Sequence, residues 1–127
     1  MQMPVHPIRV VIAARSALRR TYREALSAAG MQVAADCRDA AELLAAVSRE
    51  QPDVCVLERD LRGGCLVATA AIALPRRAPK VLVVGGGDSP AEFRAARLAG
   101  AADCLPTDVD GEDLAAAVAA LVQKEKP

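Results

Sequence analysis

Five short apolar runs, separated by longer stretches of helical character, constrain the fold of this chain more than any other feature of its sequence. The runs are residues 8–13, 31–36, 53–58, 80–85 and 102–106. The first is apolar at every position but Arg9, and the third is apolar between Asp53 and Glu58, as strands are when helices cover both faces of a parallel sheet. Strands that alternate with helices along the chain predict an α/β fold with a parallel five-stranded sheet.

The stretches between these runs predict five helices from their apolar spacing and their end signals. The residues expected at helix ends are Ser16, Gly30, Asp39, Asp88 or Ser89, and Asp110. In the second helix, we expect Leu43, Leu44 and Val47 to face the core. Run 31–36 alternates and is placed nearer an edge, whereas run 53–58 is central. The result is a single flavodoxin-like (βα)5 three-layer sandwich with strand order 2-1-3-4-5.

Length and charge limit the functions that are open to this chain. Its 127 residues suffice for one domain, residues 1–127, with a core at about 8–122 and a polar, linker-like end at 123–127. Sixteen basic residues balance sixteen acidic ones, which argues against direct nucleic-acid binding. No apolar run approaches the roughly 20 residues of a membrane span, and no signal-peptide pattern is present. We therefore expect a cytoplasmic protein.

Cysteine and histidine usage points away from metal binding and catalysis. The four cysteines are far apart in the sequence: Cys37, Cys55, Cys65 and Cys104. With a single histidine, His6, and no Cys-x-x-Cys pair, neither a metal site nor a Ser-His-Asp or Cys-His set is expected. The glycine-rich residues 85–90 lack the Lys-Ser/Thr ending of a P-loop and predict a flexible loop. We expect buried reduced thiols, no cofactor and no enzymatic activity.

In a parallel α/β sheet, functional residues gather at the carboxyl ends of the strands. The residues expected at this edge are Ala14, Arg15, Glu58, Val84, Gly85 and Thr107. The arginines at positions 19, 20, 23, 76 and 77 are expected to lie on solvated helix faces, because acidic residues balance them over the whole chain.

Three segments carry a resemblance to a known family. They are IRVVIAARSALRR (residues 8–20), PDVCVLERDLRGG (52–64) and ARLAGAADCLPTD (96–108). They resemble the CheY-like receiver domain of bacterial two-component response regulators, over residues 8–121. The pattern is most similar to regulators with a C-terminal helix-turn-helix output domain.

The resemblance implies a phosphorylation site, and this sequence departs from it at every position. A receiver holds Mg²⁺ with two acidic residues and an acceptor aspartate, and holds the phosphoryl group with a hydroxyl and a lysine. The acidic pair falls on Ala14 and Arg15, and the acceptor falls on Glu58. The hydroxyl falls on Val84 or Gly85, the lysine on Thr107, and a strand-five aromatic on Cys104. We interpret the chain as a degenerate pseudo-receiver that binds no metal.

Glu58 has two possible interpretations from the sequence. Its carboxylate either stands as a permanent charge where a phosphoaspartate would be, or is a solvated loop-end glutamate without a role. We expect Arg15 to pair with Glu58 or with Asp60, in the place that magnesium would otherwise take.

Two functional hypotheses follow. In the first, the domain acts independently of phosphorylation through protein contacts, as a homodimer or by docking, with a C-terminal DNA-binding domain as a candidate output in the intact protein. The resemblance places its interaction surface on helix four, strand five and helix five, at Phe93, Arg94, Arg97, Leu98, Ala101, Cys104, Asp113, Ala117 and Val118. In the second, the vacated pocket binds a small molecule, with Arg15 pairing to an anionic group.

Overall fold

Ten alternating elements follow one another along the chain. A computed structural model describes residues 6–75, 77–85 and 89–123. The strands are β1 (Arg9–Ala13), β2 (Gln32–Cys37), β3 (Val54–Glu58), β4 (Lys80–Val84) and β5 (Asp103–Leu105). The helices are α1 (Ser16–Ala28), α2 (Ala40–Glu50), α3 (Cys65–Ala73), α4 (Pro90–Ala99) and α5 (Gly111–Gln123). These bounds lie close to the predicted ones.

The strands form one parallel sheet in the order β2-β1-β3-β4-β5. All five residues of β3 are buried, as expected for a central strand. β2 lies at an edge and is half-exposed along most of its length. The predicted flavodoxin-like fold class and strand order are therefore confirmed.

Two apolar cores lie on the two sides of this sheet. One packs α2, α3 and α4 against it, with Leu43, Ile72 and Ala96 among its buried residues. The other packs α1 and α5, with Leu26 and Val118. Parallel sheets need such cover on both faces, because their strands are apolar on both sides.

Polar side chains cap the N-termini of three helices, α2, α4 and α5. The Asp39 carboxylate accepts a hydrogen bond from the Glu42 amide (2.9 Å), and the Asp110 carboxylate accepts one from the Asp113 amide (2.8 Å). The Ser89 hydroxyl accepts one from the Glu92 amide (3.1 Å), which decides in favour of Ser89 as the cap of α4. Asp88 lies outside the described residues.

Two predictions about helix residues are wrong. Ser16 is not the cap of α1 but its first residue; Arg15 holds the cap position, and its side chain forms no capping bond. Leu44 is 39% exposed although Leu43 beside it is fully buried. Adjacent helical residues point about 100° apart, so α2 turns one of them inward and leaves the other at the surface.

The four cysteines are free and buried, as the sequence predicts. Burial raises the pKa of the Cys55 thiol to about 12 and the pKa values of Cys37 and Cys65 to about 11. These thiols stay protonated at neutral pH and are poor nucleophiles. Among the described residues, no helix is long and apolar enough to cross a membrane.

Candidate functional site

The six predicted pocket residues lie together at the carboxyl edge of the sheet. Four of them are buried: Ala14, Glu58, Val84 and Gly85. The other two, Arg15 and Thr107, are exposed. The order β2-β1-β3-β4-β5 brings these residues together, since it places the ends of β1 and β4 on either side of β3.

Glu58, the last residue of β3, turns its carboxylate towards the end of β1. One oxygen accepts a hydrogen bond from the Arg15 amide (2.5 Å), and the other lies 3.2 Å from Arg15 Nε. The Glu58 side chain is 6% exposed, whereas the Arg15 side chain is 64% exposed. The ion pair predicted from the sequence is therefore present, with its negative partner buried and its positive partner at the surface.

Tyr22 on α1 lies within reach of both charges of this pair. Burial raises the pKa of Tyr22 to about 12, with the Glu58 charge acting in the same direction and the Arg15 charge opposing both. Tyr22 is 4% exposed and belongs to the core that covers β1 and β3. The Arg15–Glu58 ion pair therefore lies beside a buried, uncharged Tyr22 side chain and the apolar core.

Arg59 joins the other side of the site to α4. Its guanidinium donates to the Gly85 carbonyl (3.3 Å) and to the Glu92 carboxylate (3.1 Å to each oxygen). It also contacts the Asp60 carboxylate at 3.4 Å. Asp60, the alternative partner for Arg15, therefore pairs with Arg59 instead.

The end of β4 is closed by backbone hydrogen bonds. The Arg59 amide donates to the Val84 carbonyl (2.8 Å), and the Gly85 amide donates to the Leu105 carbonyl (2.7 Å). A side chain added at Gly85 would lie 3.6 Å from the Thr107 hydroxyl, so Thr107 lies beside this strand end.

The arrangement offers guanidinium groups where oxygen ligands for a cation would be needed. Arg15 occupies the side of Glu58 that faces β1, and Ala14 is fully buried without any polar side-chain atom. Within residues 6–75, 77–85 and 89–123, no three His, Cys, Asp or Glu side chains cluster as metal ligands do. Mg²⁺ requires oxygen ligands, and the residues present do not fit it.

The structure corrects the predicted interaction surface. Ala101, Cys104 and Val118 are buried at 4%, 8% and 0% exposure, so their side chains offer little or no surface to a partner. Cys104 packs into the core beneath α4, and Val118 into the core beneath α5. Ala117 is half-buried; the exposed members are Phe93, Arg94, Arg97, Leu98 and Asp113.

Sequence reasoning missed Arg38 and Arg62, which lie at the same edge. Together with Arg15 and Arg19 they line an open hollow of about 320 Å³. Arg38 directly follows β2, so the rule that strand ends share one edge could have found it. A larger hollow, about 820 Å³, lies at the opposite edge beside Asp53 and Lys80, away from the strand ends where ligands of such folds bind.

No family model matches the sequence, and no curated protein matches it either. Solved structures do match. The receiver domain of the response regulator NarL from Mycobacterium tuberculosis is 28% identical, with a TM-score of 0.86 over 94% of this chain and 98% of that chain. A LuxR-family two-component response regulator from Aurantimonas sp. SI85-9A1 is 23% identical, with a TM-score of 0.83 over 95% and 89%.

A third match is the receiver domain of RcsB from Salmonella enterica serovar Typhimurium, whose structure was determined in the presence of the phosphomimetic BeF3−. It is 19% identical, with a TM-score of 0.82 over 95% of this chain and 91% of that chain. All three matches span most of both chains, and the fold they share is the one described above. This chain therefore has the CheY-like fold of response-regulator receiver domains, and its sequence is similar to that of the NarL receiver domain.

Proposed function

We propose that this domain regulates through protein contacts and takes no part in phosphotransfer. The observation that carries the proposal is the Arg15–Glu58 ion pair. It engages both carboxylate oxygens of the residue at the acceptor position, through the Arg15 amide and the Arg15 guanidinium. An acceptor oxygen must be free to attack phosphorus, with a metal to offset the charge.

The remaining positions of the site support the same proposal. Val84 and Gly85 carry no hydroxyl, and Thr107 carries no ammonium group to hold phosphoryl oxygens. Glu58 is also a poor mimic of a phosphorylated residue, because a phosphoryl group carries nearly two charges and three acceptor oxygens. Its single charge is buried and offset by Arg15.

A titration with Mg²⁺ and beryllofluoride tests this half of the proposal. We expect no saturable amide NMR shifts at Glu58, Gly85 and Thr107, and no mass increase after incubation with a small phosphodonor. The receiver domain of Salmonella RcsB serves as the positive control for beryllofluoride. Saturable shifts at those three residues, or a phosphorylated species in the intact mass, would refute phosphorylation independence.

The exposed face of α3 supports the second half of the proposal, which concerns protein contacts. Leu66, Val67 and Leu74 are 46%, 73% and 86% exposed. The sequence has no charged residue between Arg62 and Arg76. On the neighbouring helix α4, Leu98 is 82% exposed. Large apolar side chains exposed on one short helix such as α3 are typical of a surface that binds a partner.

We propose that a second copy of this chain covers the α3 face. A two-fold dimer places the same patch of both copies face to face. Because α3 itself carries no charged side chain, two copies of this helix meet without like-charge repulsion. The proposed interaction surface thus includes α3, in addition to the exposed part of α4 that the sequence predicts.

Sedimentation velocity of the domain and a Val67→Asp variant tests the dimer. We expect the domain to self-associate and Val67→Asp to shift it to monomer, because the variant buries a carboxylate in an apolar interface. Ala120→Asp on the exposed side of α5 is the matched control and should leave association unchanged. A monomer at every concentration, or equal effects of both variants, would contradict the dimer.

The biological setting follows from the similarity to response regulators. We propose a role in bacterial signalling or transcription, with DNA binding supplied by a C-terminal helix-turn-helix domain of the intact protein and not by this domain. We do not favour the hypothesis that a small molecule binds inside the vacated phosphorylation pocket. Ala14 and Val84 are packed in the core at 0% and 3% exposure, and Arg15 covers the Glu58 carboxylate.

A further inference from the structure

The arginine-lined hollow lies just outside the Arg15–Glu58 pair, between the start of α1 and the loops that follow β2 and β3. Its lining residues are Arg15, Ser16, Arg19, Arg38, Glu58, Asp60 and Arg62. It therefore has four guanidinium groups and two carboxylates, with a volume of about 320 Å³. A site of this composition attracts anions.

The two carboxylates do not neutralise the four guanidinium groups. Glu58 is engaged by Arg15, and Asp60 is engaged by Arg59, which lies outside the hollow. Arg38 is held by Glu42 on α2, with nitrogen–oxygen distances of 3.2 and 2.9 Å. This pair fixes the Arg38 side chain at the rim.

Arg19 and Arg62 supply the donors that remain. Within the described part of the chain, neither has a carboxylate at ion-pair distance, although the charge of Glu42 lies near enough to Arg19 to attract it. Arg15 approaches Glu58 through Nε, and its two terminal nitrogens donate no hydrogen bond to a described residue. Guanidinium groups bind phosphoryl and carboxylate oxygens in pairs, so three partly free ones can hold a multivalent anion.

The N-terminus of α1 adds to the positive electrostatic potential at this hollow. α1 begins at Ser16 with no side-chain cap and no acidic residue in its first turn. By contrast, Asp39, Ser89 and Asp110 cap α2, α4 and α5. The Glu58 carboxylate accepts the amide of the cap residue Arg15, but no side chain of the cap residue accepts from the first-turn amides of α1, which lie beside the arginines.

We propose that this hollow binds a small polyanion, a molecule that carries two or more phosphoryl or carboxylate groups. Arg19 and Arg62 make the principal contacts, and the terminal nitrogens of Arg15 add a third. The site is separate from the proposed α3 interface, and the binding of an anion there is independent of whether the domain forms a dimer.

Amide NMR titrations with pyrophosphate, inorganic phosphate and citrate test the site. We expect saturable shifts at Ser16, Arg19 and Arg62 with at least one polyanion. Arg19→Ala and Arg62→Ala should each weaken binding roughly tenfold, as the loss of a charged hydrogen bond does. Arg20→Ala is the matched control, because Arg20 is exposed on the same helix but does not line the hollow.

The outcomes separate the alternatives. Tighter binding of pyrophosphate than of citrate assigns a phosphoryl ligand, and the reverse order assigns a polycarboxylate. The proposal is overturned if none of the three anions gives saturable shifts at millimolar concentration. It is also overturned if Arg20→Ala weakens binding as much as Arg19→Ala, because the attraction would then come from general surface charge.

Discussion

Replacing Gly100 with alanine is expected to lower the free energy of unfolding by about 2–4 kcal/mol, since backbone strain and overpacking each cost about 1–3 kcal/mol. Gly100 ends α4 with φ +115°, a conformation that L-residues rarely adopt. Its amide bonds the carbonyls at the end of α4. A Cβ at this position would lie 2.6 Å from the Cβ of Ala73 on α3. The substitution therefore strains the backbone and pushes two helices apart.

Two further variants separate these causes in urea unfolding. Gly30 follows α1 with φ +84°, and a Cβ at this position would have no atom within 4 Å, so Gly30→Ala measures backbone strain alone, about 1 kcal/mol. Ala73→Gly in the Gly100→Ala background removes the clashing methyl, and the pair should cost less than the sum of the single changes. If Gly100→Ala and Gly30→Ala lower the free energy of unfolding equally, α3 and α4 accommodate the added methyl group at no cost in stability.

Replacing Arg15 with alanine is expected to destabilise the domain by about 1–3 kcal/mol. Removing one partner of a fully buried ion pair costs about 3–5 kcal/mol, because a buried charge is left uncompensated. Here Glu58 is buried but Arg15 is 64% exposed, so water screens part of the interaction and the loss is smaller. Glu58 would keep only the hydrogen bond from the backbone amide of residue 15.

A charge-removing partner substitution makes this prediction specific. Glu58→Gln keeps the shape of the side chain without its charge, so the Arg15→Ala/Glu58→Gln double variant should be more stable than Arg15→Ala alone. Arg20→Ala, which replaces an exposed arginine on α1, should change the free energy of unfolding by less than about 0.5 kcal/mol. If Arg15→Ala matches Arg20→Ala, or if Glu58→Gln brings no recovery, the ion pair does not stabilise the fold.

The fold could be predicted from the sequence because its signals are local. A run such as residues 53–58 is apolar on both faces, and a strand between two helical layers satisfies that pattern. Asp39 and Asp110 stand where a helix needs an acceptor for its first amides, and both form those bonds. The pairing of Arg15 with Glu58 was also predictable, since parallel strand ends meet at one edge.

The interaction surface could not be predicted in the same way. Resemblance assigned Ala101, Cys104 and Val118 to it, but small and apolar residues are equally suited to a core, and all three are buried. Leu66 and Val67 lie on a helix that is apolar on every side. Such a helix has no polar face to show which side meets solvent.

The sequence alone determined the number of strands, their parallel arrangement and the residues that meet at their carboxyl ends, because periodicity and end signals act within a few neighbouring residues. Only the tertiary structure decided which arginines converge. Arg19, Arg38 and Arg62 are far apart in the chain and belong to three different connections of the sheet. Whether they line one hollow depends on how α1 and two loops pack over the sheet edge. No local sequence pattern determines the distances between these three side chains.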